Sequence, residues 1–368
     1  MTEDQLEGYA VGAACRVDLS TVSRTIAEIP VGLDPEGVAI DTERRRAYVA
    51  CSRSDCVTVV DLDELEPIAT VAVGKEPIDI VFDAASDRIL TADARSDAVS
   101  VISAETLTVE RSVPVGGYPS GMTYDPAGRR LYVGNSFGST MSVLDLDTLE
   151  SIATVDAEPG AGAIGLDADR GVVVCVNFVA ASATFVDAER LEPTGRIDLG
   201  TGACAVGIVP ERGEAFVVNS LAGTVSRIDL GTQTIVDELR TGQAPVGLTV
   251  APAHDRLYVT NRGAGTVSVL GVADGTEWAQ IPVGGGPGGV AVDPSDGRVL
   301  VANAGSGTLT IAEDLLAGPP PTAASEPLHP LVGRTLPEFS LVDLATGERR
   351  SSREWAERKY ILNFFASW

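Results

Sequence analysis

The sequence has very little lysine and a large deficit of positive charge. Its 368 residues include 27 Lys and Arg against 52 Asp and Glu, which gives a formal net charge of −25, and only Lys75 and Lys359 are lysines. An acidic chain lacks the basic surface that displaces counterions from nucleic acid or attracts anionic lipid. We therefore expect neither a nucleic-acid partner nor a membrane partner. The same composition also suits a salt-rich cytosol.

Long apolar runs are absent as well. No stretch approaches the ~20 apolar residues that span a bilayer. The first seven residues, Met-Thr-Glu-Asp-Gln-Leu-Glu, are acidic and lack the basic and apolar segments of a secretory signal. As written, the chain is expected to be cytoplasmic, and an incomplete N-terminus would instead allow an extracytoplasmic protein.

Few side chains carry catalytic chemistry. The two histidines, His254 and His329, are too few for a multi-histidine metal centre, and they occur in a turn and in a Pro-rich spacer. A haem-attachment motif, a P-loop and a dinucleotide-binding glycine motif are also missing. We expect no cofactor and no metal.

The five cysteines are an odd number, and four of them fall on strand or strand-end positions, where cysteine acts as a small apolar residue. The alternative concerns Cys51 and Cys56, which flank a four-residue loop. These two could form a disulfide in an oxidising compartment.

What the sequence does contain is a repeat of 42 residues. A glycine recurs at one position of this repeat, at Gly32, Gly74, Gly116, Gly200, Gly242 and Gly284. Glu158 occupies that position in the remaining unit. A second track, nine residues later, is mostly aspartate, and a third is mostly asparagine, at Cys51, Asp93, Asn135, Asn177, Asn219, Asn261 and Asn303. Seven units keep this phase without an insertion.

Each unit predicts four short antiparallel strands. In the third unit the strands are expected at 120–124, 130–134, 140–145 and 151–155, because β-branched and aromatic residues alternate there and turn-forming residues separate them. The aspartate track opens the turn between the first two strands. The asparagine track ends the second strand, where asparagine is expected to adopt the left-handed conformation.

Four strands per unit and seven units predict an all-β fold, a seven-bladed β-propeller, over residues 1–314. The last unit ends after its third strand. The stretch at about 20–29 resembles the end of a unit, so we expect it to supply the fourth strand of the last blade and close the ring.

These tracks resemble the YVTN β-propeller repeats, whose signature Tyr258-Val-Thr-Asn261 occurs literally. The resemblance covers roughly residues 31–314. It implies the fold and a binding scaffold or surface protein, whereas related propellers include lactonases and dehydrogenase subunits.

The tail differs from the repeats. Residues 315–331 form a Pro-rich linker, and residues 332–368 are expected to fold as a hairpin turning at Thr346-Gly347, a short helix and an apolar strand. This segment resembles the start of a thioredoxin-like redoxin domain. The matching residues are Gly333, Pro337, Phe339, Leu341, Asn363, Phe364, Phe365, Ala366, Ser367 and Trp368.

In that family the reactive cysteine follows directly. The present sequence ends at Trp368, so we expect no thiol catalysis from this polypeptide as it stands. The resemblance implies an incomplete redoxin segment from a propeller–redoxin fusion, whose full-length form would be a thiol-disulfide oxidoreductase or a peroxiredoxin-like enzyme.

One face of the propeller is the candidate binding site, because the loops before the first strands and the loops between the second and third strands share it. Asp79 adds a carboxylate on the innermost strand, where the other blades have glycine or alanine. The candidate site residues are Arg53, Lys75, Asp79, Arg95, Tyr118, Phe137, Phe178 and Arg262. Arg53, Arg95 and Arg262 are the expected anchors for a small anionic ligand, a peptide or a protein.

Three functions follow from these features. The first is a non-catalytic binding scaffold, expected to be a monomer. The second is a lactonase-like hydrolase acting in the channel, for which Asp79 gives thin support. The third is a cell-surface protein, which would require an export signal.

Overall fold

The computed structural model describes residues 23–314 and the backbone of two short strands, 340–342 and 349–351. It contains seven four-stranded sheets, each antiparallel, arranged as the blades of a β-propeller. The predicted all-β, seven-bladed architecture is therefore confirmed. Within residues 23–314, no helix combines the length and hydrophobicity needed to cross a membrane.

Blades 1 to 4 follow one another along the chain. Blade 1 consists of β2 (Pro35–Asp41), β3 (Arg46–Cys51), β4 (Cys56–Asp61) and β5 (Glu66–Ala72). Blade 2 consists of β6 (Pro77–Asp83), β7 (Arg88–Asp93), β8 (Ala98–Ser103) and β9 (Thr108–Pro114). Blade 3 consists of β10 (Pro119–Asp125), β11 (Arg130–Asn135), β12 (Thr140–Asp145) and β13 (Ser151–Asp156). Blade 4 consists of β14 (Ala161–Asp167), β15 (Val172–Asn177), β16 (Ser182–Asp187) and β17 (Glu192–Asp198).

Blades 5 to 7 complete the ring. Blade 5 consists of β18 (Ala203–Val209), β19 (Glu214–Asn219), β20 (Thr224–Asp229) and β21 (Thr234–Arg240). Blade 6 consists of β22 (Pro245–Ala251), β23 (Arg256–Asn261), β24 (Thr266–Gly271) and β25 (Glu277–Pro282). Blade 7 consists of β26 (Pro287–Val292), β27 (Arg298–Asn303), β28 (Thr308–Asp314) and the N-terminal strand β1 (Ser23–Pro30).

The N-terminal strand joins the two ends of the chain. β1 pairs antiparallel with β28, and its partners run from Ser23 opposite Asp314 to Pro30 opposite Thr308. The inner strands β2 and β26 pack against each other, so blade 7 lies beside blade 1. On the opposite side of the ring from the candidate face, Arg45 of blade 1 forms an ion pair with Asp296 of blade 7 at 2.7 Å. The pairing of β1 with β28 covers the strand edge that an incomplete seventh blade would leave exposed.

The core lies between the blades. In blades 1, 3, 5, 6 and 7 the second strand places a tyrosine, phenylalanine or leucine at zero exposure against the neighbouring blade, as Tyr48, Tyr132 and Tyr258 do. Each cluster of buried apolar side chains lies between two neighbouring blades. One of these clusters packs Tyr48 of blade 1 against Ile80 and Ile89 of blade 2. Burial of apolar sheet faces is the main stabilising term in such a fold.

The glycine track and the asparagine track belong to one packing motif. A Cβ added to Gly116 would lie 2.5 Å from Cγ of Asn135, and the same overlap occurs at Gly200 over Asn219. Glycine is therefore required where the chain crosses the asparagine side chain. The expectation that this asparagine adopts the left-handed conformation is wrong. The residue with positive φ lies four positions later, as at Ser139 (φ 49°), because the loop reverses there.

The aspartate track acts as predicted at the turn between the first two strands. Asp41 Oδ1 accepts hydrogen bonds from the backbone N–H groups of Glu43 and Arg44, both at 3.0 Å. Asp125 does the same for Ala127 and Gly128 at 2.9 Å. A carboxylate that accepts two N–H groups holds the turn closed.

The tail is described only in part. Strand β29 (Ser340–Val342) pairs antiparallel with β30 (Arg349–Ser351), on either side of the turn expected at Thr346-Gly347. The linker 315–331 and the helix and strand expected between 353 and 368 lie outside the described residues.

Candidate functional site

Two sets of loops form one face of the propeller, which we call the loop face. The backbone N–H of Phe137, between the second and third strands of blade 3, donates to the carbonyl of Gly117 in the loop before the first strand, at 3.1 Å. Arg95 and Lys75 make the equivalent bond in blade 2, also at 3.1 Å. The predicted loop residues therefore do share one face.

Three of the four predicted cations on this face already have carboxylate partners. Lys75 Nζ lies 2.6 Å from Asp55 Oδ2, and Arg95 forms an ion pair with Glu76. Arg262 Nη2 donates to both carboxylate oxygens of Glu36, at 2.7 and 2.9 Å. These pairs compensate the charges that a small anionic ligand would require.

Arg53 differs from these three cations. It is exposed on the loop between β3 and β4. It forms no ion pair with any carboxylate among residues 23–314. It therefore offers an uncompensated positive charge at the blade 1 side of the loop face.

Tyr118 connects the charged and apolar parts of the loop face. Its hydroxyl donates to Glu76 Oε1 at 2.6 Å, and its ring stacks on Phe137 with centroids 4.3 Å apart and planes 18° apart. Burial and the adjacent Glu76 carboxylate raise the pKa of Tyr118 to about 12. The phenol therefore stays protonated and keeps donating near neutral pH.

The Arg262–Glu36 pair reaches across blade 7. A Cβ added to Gly288, on the inner strand of that blade, would lie 2.7 Å from Glu36 Oε2 and 3.4 Å from Arg262 Nη2. The pair thus occupies space that glycine leaves open between blades 6 and 1. Burial raises the pKa of Glu36, and the Arg262 guanidinium partly opposes that rise.

Asp79 binds the backbone of the neighbouring blade. Its Oδ2 accepts from the N–H of Met122 on β10 at 2.7 Å, and its Oδ1 accepts from the N–H of Ile80 at 2.8 Å. Burial raises the pKa of Asp79 to about 6, and the two N–H donors offset only part of that rise. No charged side chain contributes to this shift. Asp79 thus links the inner strands of blades 2 and 3.

The lactonase-like alternative requires several catalytic or metal-binding groups that converge in the channel. Within residues 23–314, no group of three or more His, Cys, Asp or Glu side chains is placed to hold a metal ion. Asp79 accepts hydrogen bonds from the backbone N–H groups of Met122 and Ile80. The lactonase-like alternative stays a prediction.

The sequence analysis missed two exposed apolar residues in the loops between the second and third strands. Val179 and Leu221 are 72% and 74% exposed, as exposed as the predicted Phe137 at 79%. Phe178, also predicted, precedes Val179 and is 47% exposed. All lie on loops between second and third strands.

The 42-residue register reveals what these residues share. In each of blades 1 to 5, one exposed residue lies two positions after the last residue of the second strand. We call this set the loop arc, and its members are Arg53, Arg95, Phe137, Val179 and Leu221. Blades 6 and 7 have Gly263 and Gly305 at this position. Aligning the units by this loop position would have identified Val179 and Leu221 from the sequence.

Comparisons with known proteins agree with the fold. A family model described as a YNCE-like beta-propeller matches residues 189–298. The structure is similar to that of "Kuenenia stuttgartiensis Hydrazine Synthase", with a TM-score of 0.64 and 19% sequence identity, over 83% of this chain and 98% of that chain. No curated protein matches the sequence. At this identity the structural similarity concerns the fold, and the chain is a seven-bladed β-propeller similar in part to the YNCE-like propellers.

Proposed function

We propose that the protein is a non-catalytic binding scaffold, a YVTN-type propeller whose loop face holds a peptide segment of a partner protein. The loop arc carries this proposal. Five successive blades present an exposed side chain at the same loop position, first two arginines and then three large apolar residues. Exposed apolar residues grouped on one face are typical of an interaction site.

The chemistry of the loop arc favours a peptide over a small anion. Arg95, Lys75 and Arg262 are already paired with carboxylates, which leaves Arg53 as the exposed anchor for a negative charge. Phe137, Val179 and Leu221 require apolar contacts that a small anion does not provide. The matching ligand is an extended segment with two or three apolar side chains next to an aspartate or glutamate.

A displayed library of random peptides tests this proposal. Selection on the immobilised full chain should enrich peptides that combine apolar residues with one or two acids. Binding should weaken modestly with added salt, because few charge pairs contribute. Enrichment of purely acidic peptides, or of no sequence at all, would contradict the proposed ligand chemistry.

A further proposal concerns the tail. We propose that the propeller belongs to a propeller–redoxin fusion and presents its peptide ligand to the thiol chemistry of the redoxin part. The support is the residue order from Gly333 to Leu341 and from Asn363 to Trp368, together with the hairpin around Thr346.

The genomic sequence after codon 368 tests the fusion. A reading frame that continues with a cysteine within the next few residues supports it. A stop codon there, or a continuation without cysteine, contradicts it and leaves the peptide-binding proposal unaffected.

A further inference from the structure

A hydrogen-bonded latch closes the loop between the second and third strands in blades 3 to 7. The asparagine that ends the second strand donates from Nδ2 to a hydroxyl five residues later at 3.1 Å and to another seven residues later at 2.7–3.0 Å. The first pairs are Asn135–Thr140, Asn177–Ser182, Asn219–Thr224, Asn261–Thr266 and Asn303–Thr308. The fold thus directs these two side chains at each other in every blade that carries the latch.

Blade 1 has cysteine at both of these positions. Cys51 and Cys56 are direct cross-strand partners in β3 and β4, and both are free thiols. The third latch position is kept, because Thr58 Oγ1 lies 3.5 Å from Cys51 Sγ. The repeat geometry therefore brings two thiols together where blades 3 to 7 bring an amide and a hydroxyl together.

The surroundings favour a negative charge on this pair. The adjacent Cys56 side chain lowers the pKa of the Cys51 thiol to about 7, with help from the Thr58 side chain and nearby backbone groups and against the effect of burial. The pKa of Cys56 is raised, because Cys51 lies next to it and because it is buried. Of the two thiols, Cys51 therefore loses its proton more readily.

Only one of the two sulfurs faces an open space. Cys56 lines an open cavity of about 540 Å³ between the end of β1 and the outer strand of blade 1, whose wall includes Pro30, Thr58 and Thr70. Cys51 has no exposed surface, whereas Cys56 is 6% exposed. A small molecule in the cavity therefore meets Cys56 first.

We propose that Cys51 and Cys56 form a redox-active dithiol that exchanges two electrons with a low-molecular-weight organic disulfide in this cavity. Cys56 passes its proton to the Cys51 thiolate, and the resulting Cys56 thiolate attacks one sulfur of the disulfide. The sulfur–sulfur bond of the reagent breaks, and the first thiolate leaves and takes a proton from solvent.

The second step closes the protein disulfide. Cys51 gives its proton to the departing group and attacks the Cys56 sulfur, so that the bond between Cys56 and the reagent breaks. The two protein thiols are oxidised to one disulfide, and the reagent is reduced to two thiols. An excess of the small thiol reverses both steps.

Cystamine and cysteamine mixtures test the exchange on the folded, full-length chain. Trypsin cleaves after Arg53, between the two cysteines, so oxidation joins two peptides that are otherwise separate. After alkylation, the joined fraction should rise with the proportion of cystamine and fall when cysteamine is restored, whereas Cys175 and Cys204 stay alkylated. Separate peptides at every ratio would overturn the proposal.

Two single variants test the order of attack. Cys51→Asn should stop at a stable adduct of cysteamine on Cys56, because the resolving thiol is missing. Cys56→Thr should give no adduct, because Cys51 is buried. An adduct on Cys51 and none on Cys56 would overturn the assigned order.

The double variant Cys51→Asn/Cys56→Thr is the folding control. It installs the latch of blades 3 to 7, so its thermal unfolding should match that of the natural chain while the exchange is lost. Single variants that fail to fold leave the test intact, because the natural chain and the double variant still decide whether this pair exchanges electrons.

Discussion

Arg262 of blade 6 and Glu36 of blade 1 form a two-oxygen ion pair across the inner strand of blade 7, with Arg262 Nη2 at 2.7 and 2.9 Å from the carboxylate oxygens. The pair spans three blades at the loop face. Arg262 was expected to anchor an anionic ligand, but in the structure it links the two ends of the repeat array.

Removing the carboxylate should therefore create an anion site. The Arg262 side chain is 41% exposed, so Glu36→Gln leaves a charge that an anion can reach. We expect inorganic pyrophosphate to raise the melting temperature of Glu36→Gln by a few degrees more than that of the natural chain. The double variant Glu36→Gln/Arg262→Ala is the control and should lose the extra stabilisation. Equal shifts in all three proteins would show that Arg262 binds no anion here.

Asp79 should make stability depend on pH. Its folded pKa of about 6 lies above the ordinary aspartate value, so the folded state binds more protons between about pH 4 and pH 6. The contribution is most favourable below that window and is lost as the pH rises through it, by at most about 3 kcal/mol. Urea unfolding at both ends of the window measures this loss.

The free energy of unfolding of the variant Asp79→Ala should change less across this pH window. The variant should therefore become more stable relative to the natural chain as the pH rises. Asp145→Ala is the contrasting variant, because backbone N–H groups lower the pKa of Asp145. Its loss of stability should be largest at neutral pH and vanish in acid. The same pH profile for Asp79→Ala and the natural chain would refute a raised pKa at Asp79.

Loss of the closing strand should destabilise the whole ring. Deletion of residues 1–30 removes β1, exposes the edge of β28 and uncovers the apolar cluster that contains Ile29. We expect the melting temperature to fall by roughly ten degrees or more. Deletion of residues 1–22 is the matched control, because it keeps β1. Equal melting temperatures for the two deletions would contradict closure by β1.

Much of this fold follows from the sequence, because the repeat samples the same local rules seven times. The strands expected in the third unit at 120–124, 130–134, 140–145 and 151–155 agree with β10 to β13 within two residues. The left-handed conformation predicted for the asparagine track was wrong. The hydrogen bonds of Asn135 to Thr140 and Ser142 hold this residue in the strand. The sequence of a single unit does not show that asparagine prefers these side-chain hydrogen bonds to a turn conformation.

The candidate site was less predictable. The loop face and its predicted residues followed from the topology, but the ion pairs of Arg95 and Arg262 depend on which blades become neighbours and how far long side chains reach. Val179 and Leu221 were missed, because single exposed apolar residues look ordinary until the blades are aligned by loop position. The link from Asp79 to the N–H of Met122 requires coordinates.

The peptide selected on the loop face provides the most direct measurement of the proposed function. Its dissociation constant should be compared for the natural chain, for Phe137→Ser/Val179→Ser/Leu221→Ser, and for the control Ile68→Ser/Ile152→Ser/Val236→Ser. The control residues are 43%, 46% and 54% exposed on the outer strands of blades 1, 3 and 5. We predict binding that is weaker by at least about tenfold in the loop-arc variant, since each truncation removes roughly 1 kcal/mol, and unchanged binding in the control. Equal affinities in all three proteins, or an equal loss in the control, would contradict the loop arc as the binding site.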